Sequence, residues 1–316
     1  MSVHEAATPL KKRRQDSYQS GANDGALSIN KPAKIEHLAE LHAHSRDDRI
    51  KFDEDGHRYS IRIDHNHTYI PIECSVTTYI QRYKEPFEED EVIKRMLNNS
   101  SMWVETRPEY CISCPDGTLR PMTRDEIKNE WEVNRTNAAN NGTYMHHLCE
   151  LLMSDPRTMA GYIDELRNFF NFYEEYLLPL KAETYRLEWR IFDEQLSIAG
   201  SIDYVGKLPD GSFVLVDWKR SRRLREDGFN GSMMKEPFTM LPDSNVGHYT
   251  LQLNMYKLLL LRNYGDMISS IKKMYIAGFH PACAKTVEVA DLGLHVLDGT
   301  IMPCEGICYE NLGSES

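Results

Sequence analysis

Two spacings of hydrophobic residues organise this chain. Residues 184–192 (TYRLEWRIF) alternate, with Tyr185, Leu187, Trp189 and Ile191 on one side and Arg186, Glu188 and Arg190 on the other. A repeat of two predicts a strand with one buried face. Residues 198–207 (IAGSIDYVGK) predict a second strand after the polar turn Asp193-Glu194-Gln195. The Pro209-Asp210-Gly211 turn leads into residues 213–219 (FVLVDWK), whose nearly continuous apolar run predicts a central strand.

Helical spacing brackets these strands. Tyr162, Ile163, Leu166, Phe169, Phe170, Tyr173 and Leu177 predict an amphipathic helix over 161–178. Thr123 and Glu126 have capping-box spacing, and Ile127, Trp131 and Asn134 open a long helix there. Asn140-Asn141-Gly142 is expected to break or kink it. A helix over 247–263 and a strand over 273–279 follow the third strand. The order helix, three strands, helix, strand predicts an α/β fold with a central mixed sheet flanked by helices.

Upstream, residues 57–63 and 68–72 read as a hairpin across a turn at 64–66, and Ser75-Val76-Thr77 as the N-cap of a helix reaching 83. A helix over 88–97 and an irregular stretch over 103–122 come next. Residues 1–45 carry no apolar period and are expected as a disordered basic and polar tail. The predicted organisation is therefore a tail (1–45), an N-terminal hairpin and helix extension (46–122), a core (123–280) and a C-terminal extension (281–316).

Composition narrows the class only slightly. Of 316 residues 41% are hydrophobic and 27% charged, which excludes wholesale disorder. The longest aliphatic run is Leu258 to Leu261, far short of the ~18 residues of a membrane span, so no membrane partner is expected. The first residues are polar and basic, so no secretory signal is expected, and seven cysteines read as reduced intracellular thiols. The cluster Lys11-Lys12-Arg13-Arg14 is similar to a nuclear import signal, which makes the nucleus, or otherwise the cytoplasm, the expected compartment. A net charge of −11 excludes a protein that coats nucleic acid by bulk charge, but not an enzyme with a local basic track.

The candidate chemistry sits on the three successive strands. Asp203 lies near the middle of the second; Asp217 and Lys219, two apart on the third, share a face; Glu188 lies on the polar side of the first. Carboxylates that end an interior run need a counter-ion, and a divalent cation such as Mg²⁺ suits carboxylate oxygens. Directly after the third strand, Lys219, Arg220, Arg222, Arg223 and Arg225 place five basic residues in seven, a strip suited to a phosphate backbone.

With these residues the chain resembles the RecB-like branch of the PD-(D/E)XK nuclease superfamily, and within it the mitochondrial genome maintenance exonuclease type. The resemblance rests on Ser75-Val76-Thr77, Gly142 to His146, Asp203 after a Gly200-x-x spacer, Asp217-x-Lys219, and Gln252 to Tyr256, over roughly residues 57–280. Gly200-Ser201-Ile202-Asp203 lacks the proline of the superfamily name.

The resemblance implies a restriction-endonuclease-like αβββαβ core and hydrolysis of DNA phosphodiesters, expected as an exonuclease on single strands or free ends. It implies that His146, Asp203, Asp217 and the backbone of Trp218 hold Mg²⁺ or Mn²⁺. Lys219 would position or deprotonate water, and a lysine beside a cation is expected to be pushed toward its neutral form. Gln252 and Tyr256 would lie beside the scissile strand, Glu188 matches a position that is often acidic, and Ser75 and Thr77 would join the DNA-binding surface. His146 alone reads as a helix residue paired with Glu150; with the other motifs it is expected as a ligand.

The alternatives are a nuclease fold that binds nucleic acid without turnover, and a strand-transfer enzyme using Glu188, Asp203 and Asp217, which would leave Lys219 without a task. Cysteine spacing does not fit an iron–sulfur cluster. A zinc knot joining Cys111 and Cys114 to Cys304 and Cys308 is the minor reading, with free thiols the default. The sequence sets no oligomeric state.

Overall fold

The computed structural model describes residues 33–54, 56–63, 68–155 and 163–306. The basic cluster at Lys11 to Arg14, the 64–66 turn, Gly161, Tyr162 and Cys308 lie outside the described residues. Within the stretch expected as a tail, helix α1 (Ala33–Leu41) forms. Leu38 packs on the core, and just past the helix the His42 ring stacks on Tyr185 at 3.9 Å.

Strands β1 (Ile50–Asp53), β2 (Arg58–Arg62) and β3 (Tyr69–Pro71) form a small antiparallel sheet that contains the expected hairpin. The two-residue strand β4 (Cys74–Ser75) precedes α2 (Val76–Gln81), which the Ser75 hydroxyl caps by accepting from the Thr78 amide at 3.1 Å. Then come α3 (Glu89–Leu97), α4 (Trp103–Thr106) and the hairpin β5 (Cys111–Ser113) and β6 (Leu119–Pro121). The region expected as irregular is thus partly ordered, because Trp103 is buried against Ile93 and Ile127 in a cluster of its own.

Helix α5 (Arg124–Ser154) runs unbroken through Asn140-Asn141-Gly142, contrary to the expected break. Its ends explain this. The capping box Thr123/Glu126 closes the N-terminus, with Ile127 buried beside it, and Met145, Leu148, Cys149 and Leu152 pack on the main sheet. The stretch from Glu132 to Asn141 is exposed and bridges two packed ends; tertiary anchoring outweighs the ~1 kcal/mol that an interior glycine costs. Helix α6 (Asp164–Phe172) continues through a π-turn at Tyr173–Leu177 into α7 (Leu178–Leu180).

The main sheet uses β7 (Glu183–Asp193), β8 (Ile198–Lys207) and β9 (Phe213–Lys219), then α8 (Asn245–Asn263), β10 (Ile271–His280) and β11 (Cys283–Glu288); the hairpin β12 (His295–Leu297) and β13 (Thr300–Met302) follows. The order is β11-β10-β9-β8-β4, with β7 on the other edge of β8. Strand β10 is parallel to β9 while β8 is antiparallel to it, so the sheet is mixed. Helix α8 covers one face and α5 with α6 the other, and β9 is central, as its apolar run predicts. Among the described residues no helix is long and apolar enough to cross a membrane.

One irregularity positions the site. Strand β8 pairs with β9 only over Tyr204–Lys207, and on the same edge meets β4 at Ile198 and Ala199. Residues 200–203 have no strand on that side, and the sheet splits at Asp203.

Strand β7 departs from strict alternation. Its register shifts between Thr184 and Arg186, and Glu188 takes a left-handed backbone (φ 44°). Leu187 therefore packs with the α5–α6 side, while Tyr185, Trp189 and Ile191 pack with the α8 side. Arg186, expected on a polar face, is buried: Nη1 donates to the His42 carbonyl and to Asp47 Oδ2, both at 2.8 Å.

Candidate metal centre at the sheet split

His146, Glu188 and Asp203 arrive on three different elements, α5, β7 and β8. Asp203 stands where β8 leaves β9, and its Oδ2 accepts the Trp218 amide at 2.7 Å, replacing a ladder bond that the split removes. Glu188 lies opposite Asp203 on β7, between the register pairs Leu187/Tyr204 and Trp189/Ile202. Its left-handed conformation is one that a non-glycine residue adopts at a cost of about 1 kcal/mol or more, and such strain concentrates at functional sites. The Ser201 hydroxyl donates to Glu188 Oε2 at 2.9 Å and fixes the carboxylate.

His146 projects from α5 into this gap. Its Nδ1 lies 3.6 Å from Glu188 Oε1 and 3.7 Å from Asp203 Oδ1; its Nε2 meets the Trp218 carbonyl at 3.0 Å. His146, Glu188 and Asp203 offer ligand atoms all within 4.8 Å of one another, the one such group of metal-capable side chains among the described residues. One imidazole and two carboxylates form a nitrogen and oxygen donor set that fits Mn²⁺ or Mg²⁺. An Nε2–H donated to a backbone carbonyl is the usual support of a ligating histidine, leaving Nδ1 to face the ion.

The electrostatics are those of a site short of positive charge. Burial raises the Asp203 carboxyl, Asp217 and Glu188 raise it further against the pull of His146, and it reaches about 7. Burial works to lower His146, but Asp203 and Glu188 outweigh it and lift the imidazole to about 9. Protons here occupy places that a cation would take.

Asp217 and Lys219 form the second half of the site. Lys219 Nζ sits 2.6 Å from Asp217 Oδ2, and the Gln252 amide donates to Asp217 Oδ1 at 3.3 Å and to the Tyr256 hydroxyl at 2.9 Å. Both Gln252 and Tyr256 are buried on α8. At Lys219 burial favours the amine, but Asp217 and Asp203 outweigh burial and hold the ammonium well above the ordinary lysine value.

Gly200 is required where it stands. A Cβ there would lie 2.6 Å from Tyr256 Cε1 and 3.2 Å from Val76 Cγ2. Gly142 has no such constraint; a Cβ there meets nothing within 4 Å.

The structure thus brings His146 and Asp203 together with Glu188, which the sequence places on the polar side of its strand and the resemblance matches to a position that is often acidic. Asp217 stands beside them with its oxygens on Lys219 and Gln252. The Trp218 carbonyl faces His146 Nε2. Ser75 and Thr77 lie at the far end of the split, where Ser75 pairs with Ala199, and the Ser75 hydroxyl serves the α2 cap and touches Thr77 Oγ1 at 2.9 Å. Two neighbours escaped the sequence reading. Ser201 had a signal in its place two residues before Asp203; Tyr249, whose ring lies 4.6 Å from Lys219 Nζ, had none beyond its helical spacing from Gln252.

The basic strip is smaller than the sequence suggests. Arg220 is turned inward, its Nε donating at 2.8 Å to Glu165 Oε1 on α6. Arg222, Arg223 and Arg225 are exposed. Arg225 also lines a groove of about 1170 Å³ between α3, α4 and the loop around Phe229. Phe87 and Phe229 stand 68% and 71% exposed on this groove, beside Arg95 and Arg107. Of its acids, Asp243 is held by His248 at 2.6 Å and Glu85 by Lys235 at 3.7 Å.

All six described cysteines are free thiols, and no group of metal-capable side chains among the described residues includes a cysteine. A scan against protein-family models and a search of curated proteins return no match to this chain.

Proposed function

We propose that this chain is a divalent-metal-dependent nuclease with a restriction-endonuclease-like core, hydrolysing DNA phosphodiesters as an exonuclease on single strands or free ends. The observation that carries the reading is the convergence of His146, Glu188 and Asp203 at the split of the sheet, with the Lys219 ammonium beside them. The order αβββαβ and the resemblance through Asp203, Asp217-x-Lys219 and Gln252 to Tyr256 support it.

His146, Glu188 and Asp203 would hold Mg²⁺ or Mn²⁺, which supplies phosphate charge neutralisation and an activated water when bound. The residues of the chain do the rest. Ser201 fixes Glu188, and the Trp218 amide and carbonyl orient Asp203 and His146. Lys219, held charged by Asp217 and Asp203, would offer its ammonium to the oxygens that gain charge as phosphorus is attacked. Gln252 keeps Asp217 in place.

Substrate recognition follows from charge and aromatic exposure. Arg222, Arg223 and Arg225 follow Lys219 in the chain, and Arg225 reaches the groove, whose lining has the exposed rings of Phe87 and Phe229 together with Arg95 and Arg107 and the acids Glu85, Glu88, Glu91 and Asp243. Cationic side chains with exposed rings suit single-stranded nucleic acid, whose unpaired bases stack on them. Incubation of the protein with end-labelled single-stranded DNA and Mn²⁺ tests the reading: release of short labelled products that chelation abolishes is expected, and intact DNA contradicts it.

A further inference from the structure

Helix α8 holds the Asp217–Lys219 pair at two points, and the resemblance assigns a role to only one of them. Tyr249, Gln252 and Tyr256 follow at spacings of three and four, which places them along one stripe of the helix. Gln252 holds Asp217 through its amide. Tyr249, half-buried, sets its ring 4.6 Å from Lys219 Nζ, a distance at which an ammonium is attracted by the face of an aromatic ring.

Lys219 needs such a hold. Its four-carbon stem leaves the ammonium free to wander unless contacts fix it, and Asp217 Oδ2 supplies one contact at 2.6 Å. That contact is contested. Asp217 lies near enough to Asp203 to act on its charge, so a cation held at Asp203 would attract Asp217 as well and compete with Lys219 for that carboxylate. The tyrosine ring is neutral and offers no ligand oxygen on its face, so a cation at His146, Glu188 and Asp203 does not draw it away from the ammonium.

We propose that Tyr249 is a positioning residue: its ring face holds the Lys219 ammonium in place when Asp217 is drawn toward bound metal. The contribution comes from the ring and not from the hydroxyl. The kinetic consequence rests on the nuclease reading; the ring contact itself does not.

Two measurements separate these. In the first, lysines are reductively dimethylated with ¹³C-formaldehyde and the Lys219 signal is identified by its loss in Lys219→Arg. Ring-current displacement of that signal is expected in the unsubstituted protein and in Tyr249→Phe, with and without Mn²⁺, and its collapse in Tyr249→Leu. A Lys219 signal at the ordinary dimethyl-lysine position in the unsubstituted protein overturns the proposal, whether or not Tyr249→Leu folds.

In the second, Mn²⁺-dependent cleavage is followed at saturating DNA. Tyr249→Leu is expected to lower kcat by about 5- to 30-fold, with KM and Mn²⁺ affinity unchanged, while Tyr249→Phe stays within about twofold. Equal loss in both variants would assign the effect to the hydroxyl and contradict the proposal. If the unsubstituted protein cuts no DNA, the nuclease reading falls, and the dimethyl signal still decides whether the ring holds the ammonium.

Discussion

Glu188 and Asp203 face each other across the β7–β8 ladder at the point where β8 parts from β9, and His146 Nδ1 lies within 3.7 Å of both. Glu188 has a left-handed backbone and Asp203 stands where β8 has no β9 partner, and Ser201 and the Trp218 amide hold the two carboxylates.

This relationship predicts that Glu188 is a ligand in its own right. Glu188→Gln should weaken Mn²⁺ binding by about 100-fold or more, and Ser201→Ala by about 10-fold through loss of its supporting hydrogen bond. Asp217→Asn, whose partners are Lys219 and Gln252, should weaken it less than Glu188→Gln. Isothermal titration of the three variants gives the order; unchanged affinity in Glu188→Gln contradicts it.

The proton-binding groups predict a pH dependence with a definite sign. His146 titrates near 9 in the folded chain against 6.5 when free, so its stabilisation is complete below pH 6.5 and is lost as pH rises through 9. Asp203, raised from 3.8 to about 7, likewise stabilises most when protonated and gives up that contribution as pH rises through 7. The metal-free protein should therefore lose Tm from pH 7 to 9. Saturating Mn²⁺ replaces the protons and should flatten the profile. Thermal melts over this range, with and without Mn²⁺ and in His146→Gln, check both statements.

The two glycines of the recognised motifs should behave oppositely. Gly200→Ala drives a methyl group into Tyr256 and should cost about 1–3 kcal/mol, the usual scale of overpacking, while disturbing the Gln252–Asp217 contact. Gly142→Ala meets open space in a helix interior and should stabilise by up to about 1 kcal/mol. Denaturant melts of both variants measure the difference.

Charge and stacking in the substrate path are separable by salt. Arg222, Arg223 and Arg225 changed together to Gln should flatten the slope of log K against log salt on single strands by about 0.7 per lost contact. Phe87→Ala or Phe229→Ala should weaken binding by about 1–3 kcal/mol per lost stacked base and leave the slope unchanged. Fluorescence anisotropy at several salt concentrations reads both; an unchanged slope in the arginine variant would return the strip to a solvated surface.

The sequence made the scaffold legible wherever period and burial agree. The strand period of β7, the apolar run of β9 and the Thr123/Glu126 box each have a local cause, and all three elements form, although β7 does not keep the alternation of faces. The failures have physical reasons too. Long-range anchoring by Met145 and Ile127 carried α5 past Asn140-Asn141-Gly142. Strand β11 follows β10 through a two-residue turn at Pro281 and Ala282, a proline signal that the weak alternation of 283–288 obscured. The candidate carboxylates were legible as charges ending buried runs, but the partnership of Glu188 with Asp203 involves a left-handed backbone at Glu188 that no periodicity encodes. Arg220 read as one more cation until Glu165, distant in sequence, claimed it.

The central claim is that the sheet split holds a divalent cation for phosphodiester hydrolysis with Lys219 as its electrostatic partner. Single-turnover cleavage of end-labelled single-stranded DNA, with Mn²⁺ and in its absence, tests this most directly in the unsubstituted protein, Asp203→Asn and Lys219→Ala. The account predicts cleavage only with Mn²⁺, none in Asp203→Asn, and a loss of roughly 10²-fold or more in Lys219→Ala with Mn²⁺ binding retained. Cleavage that persists in Asp203→Asn, or DNA left intact by the unsubstituted protein at saturating Mn²⁺, would contradict it.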